Sequence, residues 1–225
     1  MLTVAELAGR IDHTALKPET TRGDVERLCR ETSEHGFAAV CVAPVWVAAA
    51  ARCLDGSRSR VCAVIGFPHG SSTAAIKSAE AARALDDGAI ELDMVMAVGL
   101  LKTGDFPAVE SDIRAVVEPA RRRGALVKVI LETALLSGEE KARACRLAEA
   151  AGADFVKTST GFGPGGATIE DVALMARAVG GRLGVKASGG IRALDFALAL
   201  LDAGATRLGC SASVALVCEL AARSA

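Results

Sequence analysis

The sequence lacks an excess of charge of either sign. Its 225 residues include 26 lysines and arginines and 27 aspartates and glutamates, for a formal net charge of −1. A protein that attracts nucleic acid or an anionic membrane through its overall field needs a strong basic excess. We therefore expect neither a nucleic-acid nor a membrane partner, and any anionic ligand must be bound by a local site.

Long apolar runs and paired metal ligands are also absent. No run approaches the roughly 20 apolar residues of a membrane-spanning helix, and the first residues lack a basic segment followed by an apolar core. The seven cysteines include no Cys-x-x-Cys pair, and the three histidines lack metal-ligand spacing. These absences predict a cytoplasmic protein with reduced thiols and no metal site.

The chain does contain a repeated order of helix, glycine and strand. Alanine-rich amphipathic segments end at a glycine, and a short β-prone run follows directly. The glycines at these junctions are Gly36, Gly88, Gly124, Gly152, Gly181 and Gly204. Helix starts are marked by Ser137 with Glu140 and by Thr168 with Asp171, which have the spacing of a capping residue and its acidic partner.

Two further β-prone runs, at residues 10–16 and 61–66, bring the number of predicted strands to eight. Eight parallel strands alternating with helices predict an α/β protein, a single-domain (β/α)8 TIM barrel over residues 1–225 with a short N-terminal helix. A doubly wound sheet is the alternative, but the Gly-x-Gly-x-x-Gly expected after its first strand is absent.

Two lysines occupy the same place in neighbouring predicted strands. Lys157 and Lys186 each follow a short apolar run and precede a turn of small residues. One such lysine is usually a solvated residue, but two on adjacent parallel strands would lie close together. Each charge would then disfavour protonation of the other. A neutral amine is a nucleophile that can form a Schiff base with a carbonyl group.

Other polar residues are expected at the carboxyl ends of the strands, where barrels gather their chemistry. They are Asp12, Cys41, Asp93, Lys128 and Glu132. Charges within apolar strands are costly unless they are paired, which favours a buried cluster of aspartate and lysine. Structural roles stay open for Asp12 as a turn residue, Lys128 as an ion-pair partner and Cys41 as a small core residue.

Glycine and serine follow the last two predicted strands. Ser188, Gly189 and Gly190 follow the seventh strand, and residues 209–213 follow the eighth and open the final helix. Exposed amides in such turns bind anions, and barrels often hold phosphate in these two loops. Either loop alone is explained by turn formation and capping. Both together, beside the lysines, favour a phosphorylated substrate.

Seven blocks in one order resemble the deoxyribose-phosphate aldolase family, which are class I aldolases with a (β/α)8 barrel. One block reads Phe-Val-Lys-Thr-Ser-Thr-Gly-Phe and another reads Val-Lys-Ala-Ser-Gly-Gly-Ile-Arg. The seven blocks are residues 11–18, 39–42, 64–70, 91–95, 127–133, 155–162 and 185–192. The resemblance covers nearly the whole chain.

The resemblance implies an aldehyde-lyase that reversibly cleaves 2-deoxy-D-ribose 5-phosphate into D-glyceraldehyde 3-phosphate and acetaldehyde, without metal or organic cofactor. It implies that Lys157 is the Schiff-base lysine, that Lys186 lowers the pKa of Lys157, and that Asp93 assists proton transfers. Further implied residues are Asp12, Cys41 and Lys128 in the substrate pocket and Gly161, Gly189, Gly190 and Ser211 at the phosphate.

The chain departs from the family at two places. Ala212 follows Ser211 where many relatives carry a second serine, so one phosphate ligand is missing. Some relatives end in a tyrosine that reaches the active site, whereas this chain contains no tyrosine. Family members are commonly dimers or tetramers, which implies a homo-oligomer here.

Two other functions stay open on the residues alone. The first is a class I aldolase acting on a different phosphorylated sugar, since Lys157 and the phosphate loops do not specify the rest of the substrate. The second is a barrel that binds a sugar phosphate without catalysis. A binding module has no need of two lysines that repel each other, which favours an enzyme.

Overall fold

The computed structural model describes residues 2–224 and contains a closed barrel of eight parallel strands. Each strand pairs with the next, and β8 pairs with β1. The strands are β1 (Ile11–Ala15), β2 (Ala39–Val42), β3 (Arg60–Ile65), β4 (Glu91–Val95), β5 (Leu126–Ile130), β6 (Phe155–Lys157), β7 (Gly184–Ser188) and β8 (Arg207–Cys210). The predicted (β/α)8 barrel is confirmed. The doubly wound alternative is wrong, because such a sheet has open edges.

Helices alternate with the strands along the chain. They are α1 (Val4–Ala8), α2 (Arg22–His35), α3 (Val47–Cys53), α4 (Ala74–Asp86), α5 (Val98–Lys102), α6 (Phe106–Arg122), α7 (Gly138–Ala150), α8 (Ile169–Val179), α9 (Leu194–Asp202) and α10 (Ser213–Ser224). Helix α1 precedes the barrel, as predicted. Within residues 2–224, no helix combines the length and the apolar character that crossing a membrane requires.

The predicted helix ends are confirmed, except that α8 is capped by Gly180, one residue before the predicted Gly181. Gly36, after α2, has a φ of 71°, a left-handed conformation that costs glycine little and lets the chain turn into β2. Ser137, before α7, accepts a hydrogen bond from the Glu140 N–H, and its own N–H donates to the Glu140 carboxylate. Thr168 caps α8 by accepting from the Asp171 N–H.

Side chains alternate between the two faces of each strand, which separates apolar from charged residues. In β4, Leu92 and Met94 belong to the apolar core. Glu91 and Asp93 have the opposite orientation, and both form ion pairs with Lys128 of β5. The barrel interior is therefore charged, although the residues around it are apolar.

A buried ion pair joins α4 to α6 beside the carboxyl end of β4. Lys77 Nζ lies 2.7 Å from Asp112 Oδ2 and 2.9 Å from the Val95 carbonyl oxygen. The Ala97 N–H donates to the same Asp112 oxygen at 3.1 Å. Burial lowers the pKa of Lys77 and raises the pKa of Asp112, against the mutual attraction of the two charges. Each charge therefore depends on the other to remain buried.

We predict that Lys77→Met lowers the free energy of unfolding by about 3–5 kcal/mol, because the Asp112 carboxylate would stay buried without its cation. The double variant Lys77→Met/Asp112→Asn should recover at least half of that loss, since it removes the unpaired charge and keeps an acceptor for the Ala97 N–H. Urea denaturation of the three proteins measures both quantities. A single variant within about 1 kcal/mol of the unchanged protein would contradict the prediction.

Candidate active site

The two lysines predicted from neighbouring strands lie side by side. Lys157 ends β6 and is paired in register with Lys186 of β7. Lys157 has 3% of its surface exposed and lines a cavity of about 890 Å³ at the carboxyl ends of the strands. Lys186 is fully buried and is absent from the cavity lining. Only the first of the two amines therefore meets a ligand directly.

The carboxylate of Asp93 lies between the two lysines. Lys157 Nζ and Lys186 Nζ each donate to Asp93 Oδ2 at 2.7 Å. Lys128 Nζ donates to the other oxygen, Oδ1, at 2.8 Å. One buried carboxylate thus holds three ammonium groups, each supplied by a different strand of the barrel.

The expected mutual lowering of the two lysine pKa values is wrong for Lys186. Burial disfavours its charged form, but the carboxylates of Asp12 and Asp93 outweigh burial and raise the pKa of Lys186 above its usual value. Burial also opposes the charge of Asp93, yet Lys128, Lys157 and Lys186 hold the pKa of Asp93 well below its usual range. At neutral pH, Lys186 is therefore a cation and Asp93 an anion.

The charged cluster extends beneath this trio toward the amino ends of the strands. Asp12 Oδ2 accepts from Lys186 Nζ, and Asp12 Oδ1 accepts from Arg207 Nη1 at 2.7 Å. Glu91 Oε2 lies 2.6 Å from Lys128 Nζ. Asp12 and Lys128 were predicted to belong to one buried cluster, and the structure brings them together at 3.4 Å.

Two members of this cluster are not among the predicted site residues. Glu91 could face solvent as far as the sequence alone shows, but it is fully buried. Arg207 lies in the short apolar strand β8, where an arginine is a signal of a buried partner. Both could have been found by the rule that identified Asp93, that charges within apolar strands must be paired.

The buried cluster contains nearly equal numbers of positive and negative groups. Arg60, whose side chain is 47% exposed, pairs with Glu91 at 3.2 Å from the outer end of the cluster. Within residues 2–224, the other linked ion pairs comprise four cations and three carboxylates: Lys128, Lys157, Lys186, Arg207, Asp12, Glu91 and Asp93. All lie at least largely inside the barrel. If Lys157 is neutral, the three other cations inside the barrel face three carboxylates, and the buried charges balance.

Cysteine thiols complete the surroundings of Asp93. Cys41 Sγ, predicted from the sequence, lies 4.0 Å from Asp93 Oδ2. Cys62 on the adjacent strand was missed, and its thiol donates to Asp93 Oδ1 at 3.1 Å. Burial, with Cys41 and Asp93 nearby, raises the pKa of Cys62 well above its usual value. Cys62 is therefore a neutral donor that helps to orient the carboxylate.

Some of these groups have the spacing of metal ligands. Cys62, Asp12 and Glu91 place one sulfur and two carboxylate oxygens within 4.8 Å of one another. The ammonium of Lys128 lies among them, 3.4 Å from Cys62 Sγ and 2.6 Å from Glu91 Oε2. Lys128 thus supplies the positive charge that these ligands face.

The predicted anion loops open onto the cavity that Lys157 lines. Its lining includes Gly161, Gly189, Gly190 and Ser211, the four residues predicted for phosphate. Within residues 2–224, the hydrogen bonds of the structure do not engage the N–H groups of Gly189 and Gly190. Gly189 has a φ of +89°, and a side chain there would begin 3.0 Å from the Cα of Gly166. Glycine is therefore required at this close approach.

A serine, a histidine and a glutamate hold the start of α10. His13 Nδ1 lies 2.9 Å from Ser213 Oγ, and His13 Nε2 lies 2.7 Å from Glu31 Oε2. Ser213 Oγ also lies 3.0 Å from the Cys210 carbonyl oxygen. This order is that of a hydrolase triad, but Ser213 is fully buried and cannot reach a substrate. The three residues instead support the loop that carries Ser211.

Comparison with known proteins agrees with this geometry. Residues 7–214 match the sequence pattern of the DeoC/LacD family aldolases. The chain is 55% identical over 211 residues to the deoxyribose-phosphate aldolase of Geobacillus sp. (strain WCH70), covering 94% of each chain. It is 56% identical over 212 residues to the deoxyribose-phosphate aldolase of Halalkalibacterium halodurans, again covering 94% of each.

A solved structure supports the same assignment. The deoxyribose phosphate aldolase from Aeropyrum pernix, described as having a unique tetrameric structure, superimposes with a TM-score of 0.93 at 35% identity. The similarity covers 99% of this chain and 94% of that one. This chain belongs to the DeoC/LacD family of aldolases, enzymes that make and break carbon–carbon bonds.

Proposed function

We propose that this protein reversibly cleaves 2-deoxy-D-ribose 5-phosphate into D-glyceraldehyde 3-phosphate and acetaldehyde through a Schiff base on Lys157. The observation that carries the proposal is the position of Lys157, at the floor of the cavity and in contact with Asp93. The relatives from Geobacillus and Halalkalibacterium are deoxyribose-phosphate aldolases, which supports the choice of substrate.

The ion-pair geometry supports different roles for the lysines. Lys157 contacts one carboxylate, that of Asp93, whereas Lys186 contacts Asp93 and Asp12. Lys128 contacts three carboxylates and lies deepest in the cluster. Removing a proton from Lys157 therefore breaks the fewest ion pairs, and the remaining charges inside the barrel balance. Lys157 is the nucleophile, while Lys186 stays charged beside it.

The first half of the reaction forms the iminium. The neutral amine of Lys157 attacks C1 of the open-chain sugar, and loss of water from the carbinolamine leaves a carbon–nitrogen double bond. The leaving hydroxyl needs a proton, and the protonated Lys186, which does not line the cavity, supplies it through water. Asp93 accepts hydrogen bonds from both amines and holds them in one place.

The second half breaks the C2–C3 bond. A carboxylate removes the proton of the C3 hydroxyl, and we assign this role to Asp93, which is buried beneath the cavity and acts through water. The electron pair of the broken bond enters the iminium, so that D-glyceraldehyde 3-phosphate leaves and an enamine remains. Protonation of the enamine at C2 and hydrolysis release acetaldehyde and restore Lys157.

The phosphate is assigned to the two glycine loops and the start of α10. Gly161, Gly189, Gly190 and Ser211 line the same cavity as Lys157. Ala212 also lines it and offers only a backbone N–H, so the phosphate has one hydroxyl ligand fewer than in relatives with a second serine. The chain contains no tyrosine, and the proton for the enamine must come from the barrel itself.

Three further parts of the proposal concern the whole protein. We propose that residues 1–225 act as one domain, that the protein works in the cytoplasm, and that it forms a homo-oligomer. The tetrameric structure described for the Aeropyrum pernix aldolase supports the last part. Asp12, Cys41 and Lys128 act from beneath the substrate, since none of them lines the cavity.

We predict that borohydride reduction in the presence of acetaldehyde converts Lys157 to N-ethyl-lysine. The reduced iminium is stable, so peptide mass mapping locates it. An adduct on Lys186 would exchange the assigned roles of the two lysines. A binding-only barrel would give no adduct, and that result would overturn the proposed function.

We predict that Lys157→Met lowers the rate of deoxyribose 5-phosphate cleavage by about 10⁴-fold or more, the scale seen when a covalent nucleophile is removed. Lys17→Met is the matched control, because Lys17 lines the same cavity but is 79% exposed. It should retain activity within about threefold, since an exposed ion pair contributes little. Coupled detection of D-glyceraldehyde 3-phosphate measures both variants.

The same assay separates two aldolase functions. The unchanged protein should cleave deoxyribose 5-phosphate faster than any ketose phosphate tested at equal concentration. A preference for a ketose phosphate would support the alternative of a class I aldolase with a different substrate.

Circular dichroism on Lys157→Met should show an intact fold, so that the loss of activity reports on chemistry.

A further inference from the structure

Glu132 has a backbone conformation that is unusual for its residue type. It follows Leu131 after β5, with φ 56° and ψ 63°, the left-handed region. Within residues 2–224, it is the only residue other than glycine with a positive φ. Such a conformation costs free energy in a residue with a side chain, and it persists only where the surroundings impose it.

The surroundings that impose it belong to the segment that follows Lys157. The Leu131 N–H donates to the Lys157 carbonyl oxygen at 2.9 Å, and the Thr133 N–H donates to the Thr158 carbonyl oxygen at 3.0 Å. The backbone of Glu132 is therefore held from both sides against the end of β6, next to the proposed nucleophile.

The side chain of Glu132 is turned toward the same loop. Its carboxylate accepts from the Thr160 N–H at 3.3 Å and from the Thr160 hydroxyl. That hydroxyl in turn accepts from the Phe162 N–H at 3.1 Å. A side chain at Gly163 would begin 2.8 Å from the carboxyl carbon of Glu132. The loop thus wraps closely around one carboxylate.

This arrangement lowers the stability of the fold. Glu132 is only 5% exposed, and within residues 2–224 its carboxylate has no ion-pair partner within 4.0 Å. A buried carboxylate without a cation, on a strained backbone, costs stability. Its hydrogen bonds fix the turn of residues 160–162, and Gly161 at the centre of that turn is one of the predicted phosphate residues.

We propose that Glu132 is a positioning residue that sets the place of the Gly161 amide, and so determines the preference for a phosphorylated over an unphosphorylated sugar. The inference rests on the proposed function, because it concerns the phosphate group of that substrate. Glu132 acts through Thr160 and does not line the cavity. Its contribution is therefore to binding of the phosphate end, away from the carbon–carbon bond that breaks.

The test compares two substrates in matched variants. In Glu132→Gln, an N–H₂ group, which cannot accept a hydrogen bond, replaces one carboxylate oxygen. A hydrogen bond from the Thr160 N–H or hydroxyl is therefore lost, and the turn is held less firmly. We expect KM for deoxyribose 5-phosphate to rise about tenfold, as for loss of a hydrogen bond to a charged group, with kcat reduced less than threefold. The kcat/KM for unphosphorylated 2-deoxyribose should change less than twofold, by the same reasoning.

Glu139→Gln is the control, since Glu139 is an exposed glutamate in the first turn of α7. It should leave all constants unchanged. Thr160→Val should reproduce the loss seen in Glu132→Gln, and Thr160→Ser, which keeps the hydroxyl, should restore wild-type KM. The double variant Glu132→Gln/Thr160→Val should lose no more than either single variant, because both break one interaction.

Equal losses on both substrates would overturn the inference, because they would show a purely structural role. So would a Glu132→Gln protein that behaves like Glu139→Gln. If Glu132→Gln does not fold, the pair Thr160→Val and Thr160→Ser decides the question alone. Failure of the unchanged protein to cleave deoxyribose 5-phosphate refutes the proposed function. If the unchanged protein cleaves this substrate but the variants show equal losses on both substrates, or no loss in Glu132→Gln, only the role of Glu132 is refuted.

Discussion

The contact of one carboxylate with three ammonium groups is the interaction on which the rest of the site depends. Asp93 accepts from Lys128, Lys157 and Lys186, and the three lysines come from β5, β6 and β7. No single helix or strand can bring these residues together. A closed barrel does so, because its strands converge on a narrow interior and their inward side chains meet there. Asp93 thus links the topology of the fold to the placement of the proposed nucleophile.

The cost of this cluster explains the character of the surrounding residues. Charges buried in a protein are tolerated only when they are paired and hydrogen-bonded. The inward cluster satisfies that condition through its ion pairs, while the outward faces of the same strands form an apolar core with the helices. Because water is largely excluded, the attraction between Asp93 and its cations is strong. The same exclusion would keep an iminium or an enamine from premature hydrolysis.

Departures from the most stable arrangement concentrate at the carboxyl ends of the strands. Glu132 has a left-handed backbone and an uncompensated carboxylate, Gly189 makes a close backbone approach, and Lys157 faces the cavity. Such costly features are typical of sites where geometry matters more than stability. At the other end of the barrel, Arg207 forms ion pairs with Asp12 and Glu91. Ion pairs thus stabilise the cluster near the amino ends of the strands, and the proposed nucleophile lies at their carboxyl ends.

The barrel, its helix ends and the residues at the strand ends follow from the sequence alone. Glycine after each amphipathic segment and capping pairs such as Ser137 with Glu140 are local signals, because the conformations they favour depend on neighbouring residues. The partners of each charge, in contrast, were set by the tertiary fold. The sequence predicts that Lys157 and Lys186 lie side by side, but not that Asp93 lies between them or that Asp12 keeps Lys186 charged. Cys62, Arg207 and the contact of Glu132 with Thr160 escaped prediction for the same reason. They are pairings between different strands or strand ends, of residues far apart in the chain, and their energies depend on burial and distance, which the closed barrel sets.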